Sequence, residues 1–126
     1  MELIDASTPI LVVDDSQTMR SIVLTQLNSL GYTDIDIAED GQSGFERVQQ
    51  KQYGLVISDW EMPRMGGEQF VKAVRQHAGY RKVPIIVVTT ASARGSSWLA
   101  GANAFLRKPF TQADLQNAIK TAATSP

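Results

Sequence analysis

The sequence predicts an α/β fold: a three-layer, doubly wound (βα)5 arrangement with a five-stranded parallel sheet between helices. Three observations predict it. Five short apolar runs rich in Val, Ile and Leu are spaced along the chain, helix-period segments separate most of them, and several runs end in polar residues. Continuous apolar runs belong to strands covered on both faces, and parallel strands need helical crossovers between them.

Ile10-Leu11-Val12-Val13 is the first strand. After it, Met19, Ile22, Val23, Leu27 and Leu30 recur at three- and four-residue steps, the apolar stripe of an amphipathic helix. Gly31 supplies the stop for that helix. Residues 35–38 read as a second strand, with Gly44, Phe45 and Val48 as the inner face of a short helix. Leu55-Val56-Ile57 is the third strand, and Phe70, Val71 and Val74 mark the helix after it. Residues 85–88 form the fourth strand and Ala104-Phe105-Leu106 a short fifth. Thr111-Gln112-Ala113-Asp114 fits a capping box, followed by the apolar stripe Leu115, Ala118, Ile119 and Ala122 of the last helix. Between Thr90 and Gly101 the apolar face is small and broken by glycine and serine, which predicts a short or frayed fourth helix.

The 126 residues, 43% of them apolar, fit one domain over 1–126 with its core at about 9–123. Without cysteine there is neither a disulfide nor a thiolate metal site. A formal charge of −1 argues against nucleic-acid binding through net charge. No apolar stretch approaches the roughly 20 residues needed to span a bilayer. Residues 1–9 lack the basic start and apolar run of a signal peptide, so the expectation is a cytoplasmic protein without membrane insertion.

In an open parallel sheet, chemistry gathers beyond the carboxyl ends of the strands. Here the first strand runs into Asp14-Asp15, the third into Ser58-Asp59, the fourth into Thr89-Thr90 and the fifth into Arg107-Lys108-Pro109. Three crowded carboxylates need a compensating cation, and oxygen-only ligands select a hard divalent ion such as Mg2+. Such a site suits phosphoryl transfer, with a carboxylate as nucleophile and a lysine and a hydroxyl to hold the phosphoryl oxygens. Each residue also has a plainer reading. Asp14 and Asp15 suit a helix-capping turn, Asp59 a turn before Met62-Pro63, Thr89 an ordinary strand position and Lys108 a surface lysine. Those separate readings leave their arrival at one sheet edge unexplained.

The residues around these ends carry a resemblance. Leu11-Val12-Val13-Asp14-Asp15-Ser16-Gln17-Thr18-Met19-Arg20, Ala38-Glu39-Asp40-Gly41, Tyr53-Gly54-Leu55-Val56-Ile57-Ser58-Asp59-Trp60-Glu61-Met62-Pro63 and Arg107-Lys108-Pro109-Phe110, in this order, resemble a response-regulator receiver domain of the CheY-like kind. The resemblance implies the strand order 2-1-3-4-5 and a role in two-component, His-Asp phosphorelay signalling, with chemotaxis as a candidate setting. It implies that Asp59 accepts the phosphoryl group, and that Asp14, Asp15, Asp59 and the backbone carbonyl of Glu61 hold Mg2+. Thr89 and Lys108 would engage the phosphoryl group, and Thr89 with Phe105 would form the switch. A Phe105 that merely packs is the other reading. Lys108-Pro109 is expected to be cis. The implied partners are a sensor histidine kinase or phosphotransfer protein as phosphodonor and a downstream protein target; catalysis would extend only to the protein's own Asp59.

The sequence also departs from the resemblance. The interval from Thr89 to Lys108 is short by roughly one helical turn, about four residues, which falls in the fourth helix and points to output through another surface than the usual one. Gly66-Gly67 is expected to loosen the loop after Asp59. Glu61, Thr90 and Ala91 stand where receivers tune access to the phosphate and its hydrolysis. Beside a stand-alone receiver, three competing readings remain: the same domain as part of a larger regulator, a Mg2+-dependent phosphatase acting through an aspartyl-phosphate, and a receiver fold that binds partners without phosphorylation, which the presence of every site residue disfavours. The second lacks a general-acid aspartate two residues after Asp59, where Glu61 stands, and lacks a covering domain.

Overall fold

A computed structural model of the chain describes residues 4–62, 64–90 and 101–124. The elements follow in the order β1 (Ile10–Val13), α1 (Gln17–Ser29), β2 (Ile35–Ala38), α2 (Gly41–Gln50), β3 (Leu55–Asp59), α3 (Gly67–Gln76), β4 (Ile85–Thr89), β5 (Ala104–Arg107) and α4 (Gln112–Thr124). All strand pairs are parallel and the sheet order is β2-β1-β3-β4-β5. The five strands and their order are as the sequence and its resemblance led us to expect. The short helix expected between Thr90 and Gly101 falls on residues 91–100 and lies outside the described residues.

The apolar runs are continuous because both faces of the sheet are covered. Successive side chains of a strand point to opposite faces. Ile10, Val12, Leu55, Ile57, Ile86 and Val88 accordingly join a core with Val23 and Leu27 of α1 and Leu115, Ala118 and Ile119 of α4. Leu11, Val13, Val56, Ile85 and Val87 join the second core, with Val48 of α2 and Phe70, Val71 and Val74 of α3. Full burial of one such side chain contributes about 1.5–3 kcal/mol, so the two cores fix the strands against each other.

The helix starts follow from local chemistry. Ser16 caps α1, its hydroxyl accepting the Met19 N–H at 3.2 Å. Asp40 caps α2, its carboxylate accepting the Ser43 N–H at 2.8 Å. Before α4 the capping box forms as expected: Thr111 Oγ1 accepts the Asp114 N–H at 3.1 Å and Asp114 Oδ2 accepts the Thr111 N–H at 2.9 Å. Gly31 ends α1 with a φ of +103°. Among the described residues, no helix is long and apolar enough to cross a membrane.

Two expectations need correction. The stripe of α1 is narrower than its periodicity predicts: Val23 and Leu27 are buried, whereas Ile22 is 40% exposed. An apolar residue one step from the buried Val23 is turned about 100° around the helix, enough to leave the core. The Gly66-Gly67 pair does not act as one loosening element. A Cβ on Gly67 would stand 2.6 Å from the Asp59 carbonyl oxygen and 2.6 Å from Trp60 Cα, while one on Gly66 would meet nothing nearer than 3.7 Å. Gly67 instead lets α3 start against the end of β3, and its N–H donates to the Trp60 carbonyl at 2.9 Å.

Substitution of the two glycines separates these roles. In urea unfolding, Gly67→Ala is expected to lose about 2–3 kcal/mol through backbone overlap. Gly66→Ala, at the helix cap, is expected to lose less than about 1 kcal/mol.

Candidate functional site

The register of the sheet builds the site. Val13 pairs with Ser58, so Asp14 leaves β1 alongside Asp59 at the end of β3. Asp59 pairs with Val88 and Thr89 with Arg107, so Thr89 and then Lys108 follow one residue further along the same edge. Four of the residues singled out in the sequence therefore meet because four neighbouring parallel strands end in step.

Asp14 and Asp59 are each 4% exposed. With the exposed Asp15 they offer one carboxylate oxygen apiece, all within 4.8 Å of one another. Lys108 Nζ lies 3.4 Å from Asp59 Oδ1 and 3.7 Å from Asp14 Oδ2. Asp59 Oδ1 also accepts the Trp60 N–H at 2.9 Å. Asp14 Oδ1 accepts the Ser16 N–H at 2.9 Å, and Arg20 Nη1 donates to the Asp14 carbonyl at 2.7 Å. The helix cap is Ser16, so the capping-turn reading does not account for the burial of Asp14.

Burial acts on both buried acids. It pushes the Asp59 carboxyl up to about 6, the charge of Asp14 adds to the rise, Lys108 opposes it and Glu61 adds again. Burial also raises Asp14, against the Ser16 N–H and Lys108. One ammonium thus faces two buried carboxylates and leaves them under-compensated. The donor set is all oxygen and acidic, which fits a hard divalent cation.

Thr89 is fully buried, and its Oγ1 donates to Glu61 Oε1 at 2.5 Å. From the sequence the Glu61 side chain was expected only to tune access to the phosphate and its hydrolysis; its hold on the Thr89 hydroxyl, 28 positions away, was not foreseen. Arg20 was also missed as a site residue, since a contact from six positions along α1 to a backbone carbonyl leaves no motif. Lys108-Pro109 is cis, as expected. Phe105 on β5 is half-buried and stands beside Val87 of β4.

The raised Asp59 acid gives stability a direction with pH. The unfolded chain releases this proton near pH 3.9, the folded chain near 6. Above pH 6 the buried charge opposes folding; as pH falls from 6 towards 4, the folded state takes up the proton first and the penalty fades. In metal-free buffer, Asp59→Asn should therefore be more stable than wild type at pH 8, by on the order of 1–3 kcal/mol. The gap should shrink as urea unfolding is repeated at successively lower pH down to 4.

Comparison with known proteins bears on the same edge of the sheet. The sequence model of the response regulator receiver domain matches residues 10–120. The chain is 40% identical over 106 residues to the chemotaxis protein CheY1 of Helicobacter pylori, covering 81% of this chain and 86% of that one. Its fold matches the chemotaxis protein CheY4 of Vibrio cholerae with a TM-score of 0.87 at 33% identity, over 93% of this chain and 99% of that one. It matches the receiver domain of a Pseudomonas aeruginosa sensor histidine kinase, solved with a magnesium ion coordinated in its active site cleft, with a TM-score of 0.86 at 28% identity, over 95% and 100%. With acids at the ends of the first and third strands, a lysine after the fifth and this sheet order, the chain belongs to the response regulator receiver domains, as a CheY-like regulator of two-component signalling.

Proposed function

We propose that Asp59 accepts a phosphoryl group, with Mg2+ held by Asp14, Asp15, Asp59 and the backbone carbonyl of Glu61, and that Thr89, Lys108 and Phe105 convert the modification into a change of binding surface. The observation that carries this reading is the convergence of three carboxylates within 4.8 Å of one another and the Lys108 ammonium 3.4 Å from Asp59. The magnesium-bound receiver domain from Pseudomonas aeruginosa supports the choice of cation. A bound divalent cation would neutralise the crowded acids and the oxygens of the incoming phosphoryl group.

The chain's own groups then have defined tasks. The Asp59 carboxylate, largely ionised at neutral pH even with its pKa raised to about 6, supplies the oxygen that bonds to phosphorus. As that O–P bond forms, the donor's P–N bond to histidine breaks and its electron pair stays on the imidazole. Lys108, already between Asp14 and Asp59, compensates the charge that arrives. The phosphoryl oxygens are strong new acceptors and draw the Thr89 hydroxyl towards Asp59. Phe105, half-buried on the edge strand two positions before Arg107, the register partner of Thr89, would change its packing when Thr89 moves. The phosphodonor is a histidine kinase or phosphotransfer protein, and the output is a protein that prefers the modified surface.

Incubation with Mg2+ and acetyl phosphate should add one phosphoryl group per chain, read as an acid-stable, base-labile mass gain. Asp59→Asn, or wild type with excess EDTA, should show none. An undiminished gain in Asp59→Asn would remove Asp59 from its role.

A further inference from the structure

The contact between Thr89 and Glu61 joins a fully buried hydroxyl to an exposed acid across two neighbouring strand ends. A threonine hydroxyl carries a single proton to donate. At 2.5 Å the bond has the short O–H···O distance expected of a charged acceptor, the stronger class of hydrogen bond. The same hydroxyl is the one that the phosphoryl group has to recruit.

We propose that Glu61 is a built-in competitor for the switch hydroxyl: its carboxylate holds Thr89 Oγ1 while Asp59 is unmodified, and phosphorylation has to displace it. This rests on the reading of Asp59 as phosphoacceptor and assigns the resting state of that same site. Glu61 does for the unmodified protein, from the loop side, what a phosphoryl oxygen does from Asp59: it offers anionic oxygen to one donor. Two anionic acceptors cannot share that proton, and their charges repel, so the two arrangements exclude each other. The competitor sets the threshold of the switch, since whatever affinity Glu61 has for Thr89 is subtracted from that of the phosphoryl group.

The loop that carries Glu61 is held at several points. The Gly67 N–H donates to the Trp60 carbonyl, the Trp60 N–H donates to Val88 of β4, and Arg64 pairs with the buried Asp40 at the start of α2. Glu61 thus projects from a backbone fixed to both neighbouring elements, and its carboxylate needs only a side-chain rotation to leave Thr89.

The test is a double-mutant cycle with Mg2+ and beryllofluoride as the probe for the phosphoryl group, read by fluorescence of Trp60. Wild type, Glu61→Ala, Thr89→Ala and the double variant are titrated, with Asp59→Asn as reference. Glu61→Ala should tighten apparent probe binding roughly tenfold, equivalent to about 1.4 kcal/mol. In the Thr89→Ala background, where only charge repulsion is left to relieve, the gain should be smaller by at least about fivefold. In a Thr89→Ser background, which keeps the hydroxyl, the larger gain should return. Gains that agree between the Thr89 and Thr89→Ala backgrounds to within about twofold, the ordinary range of additivity, would overturn the competitor and leave the phosphoacceptor reading standing. Equal probe binding by Asp59→Asn would instead bring down the phosphoacceptor reading, and the competitor with it.

Discussion

The crowding of negative charge at one edge of the sheet is the constraint on which the rest depends. Asp14 and Asp59 are buried beside each other with one ammonium between them, and burial raises the pKa of both, that of Asp59 to about 6. A fold gains nothing in stability from such an arrangement, because an under-compensated buried charge weighs against the folded state. Its presence in a small chain with two well-filled cores is an argument for function, since function is where proteins tolerate local destabilisation. A further cation relieves that tension, and so does a change in protonation. The site is therefore sensitive to what arrives next to it.

The cores make that sensitivity usable. On each face of the sheet the central strands are locked by side chains from two helices, so the ends of β1, β3, β4 and β5 keep their spacing while the groups on them exchange partners. The parallel register does the rest, since each strand end brings one polar residue to the edge: Asp14, Asp59, Thr89, then Lys108. An antiparallel arrangement of the same runs would send neighbouring ends to opposite edges.

This division explains what was legible in the sequence. The strands were, because burial on both faces writes an unbroken apolar run, and so were Gly31 and the capping box at Thr111 and Asp114, whose chemistry is local. Asp14, Asp59 and Lys108 were legible because a residue's place at a strand end survives in sequence order. Other features depend on which neighbours the fold supplies. Periodicity put Ile22 in the stripe of α1, but α1 meets the sheet through Val23 and Leu27. Gly67 resembled Gly66 until the carbonyl of Asp59 was found 2.6 Å from where its Cβ would be. The hydrogen bond from Thr89 to Glu61 spans 28 positions, and no pattern of spacing announces it.

That last contact changes how the acids of the site divide their work. Asp14, Asp15 and Asp59 gather charge at one point, and on electrostatic grounds alone a fourth acid two residues away would only add to the repulsion. Glu61 does add to it, raising Asp59 further. Its carboxylate is nevertheless anchored on a buried hydroxyl of the adjacent strand, so its position is fixed by a donor that the modified site would need. A group that both opposes the incoming charge and occupies its partner separates the two states more sharply than either effect alone. With Gly67 and Arg64 holding the loop, the carboxylate can move while its backbone stays, so exchange of one proton's acceptor suffices to change state.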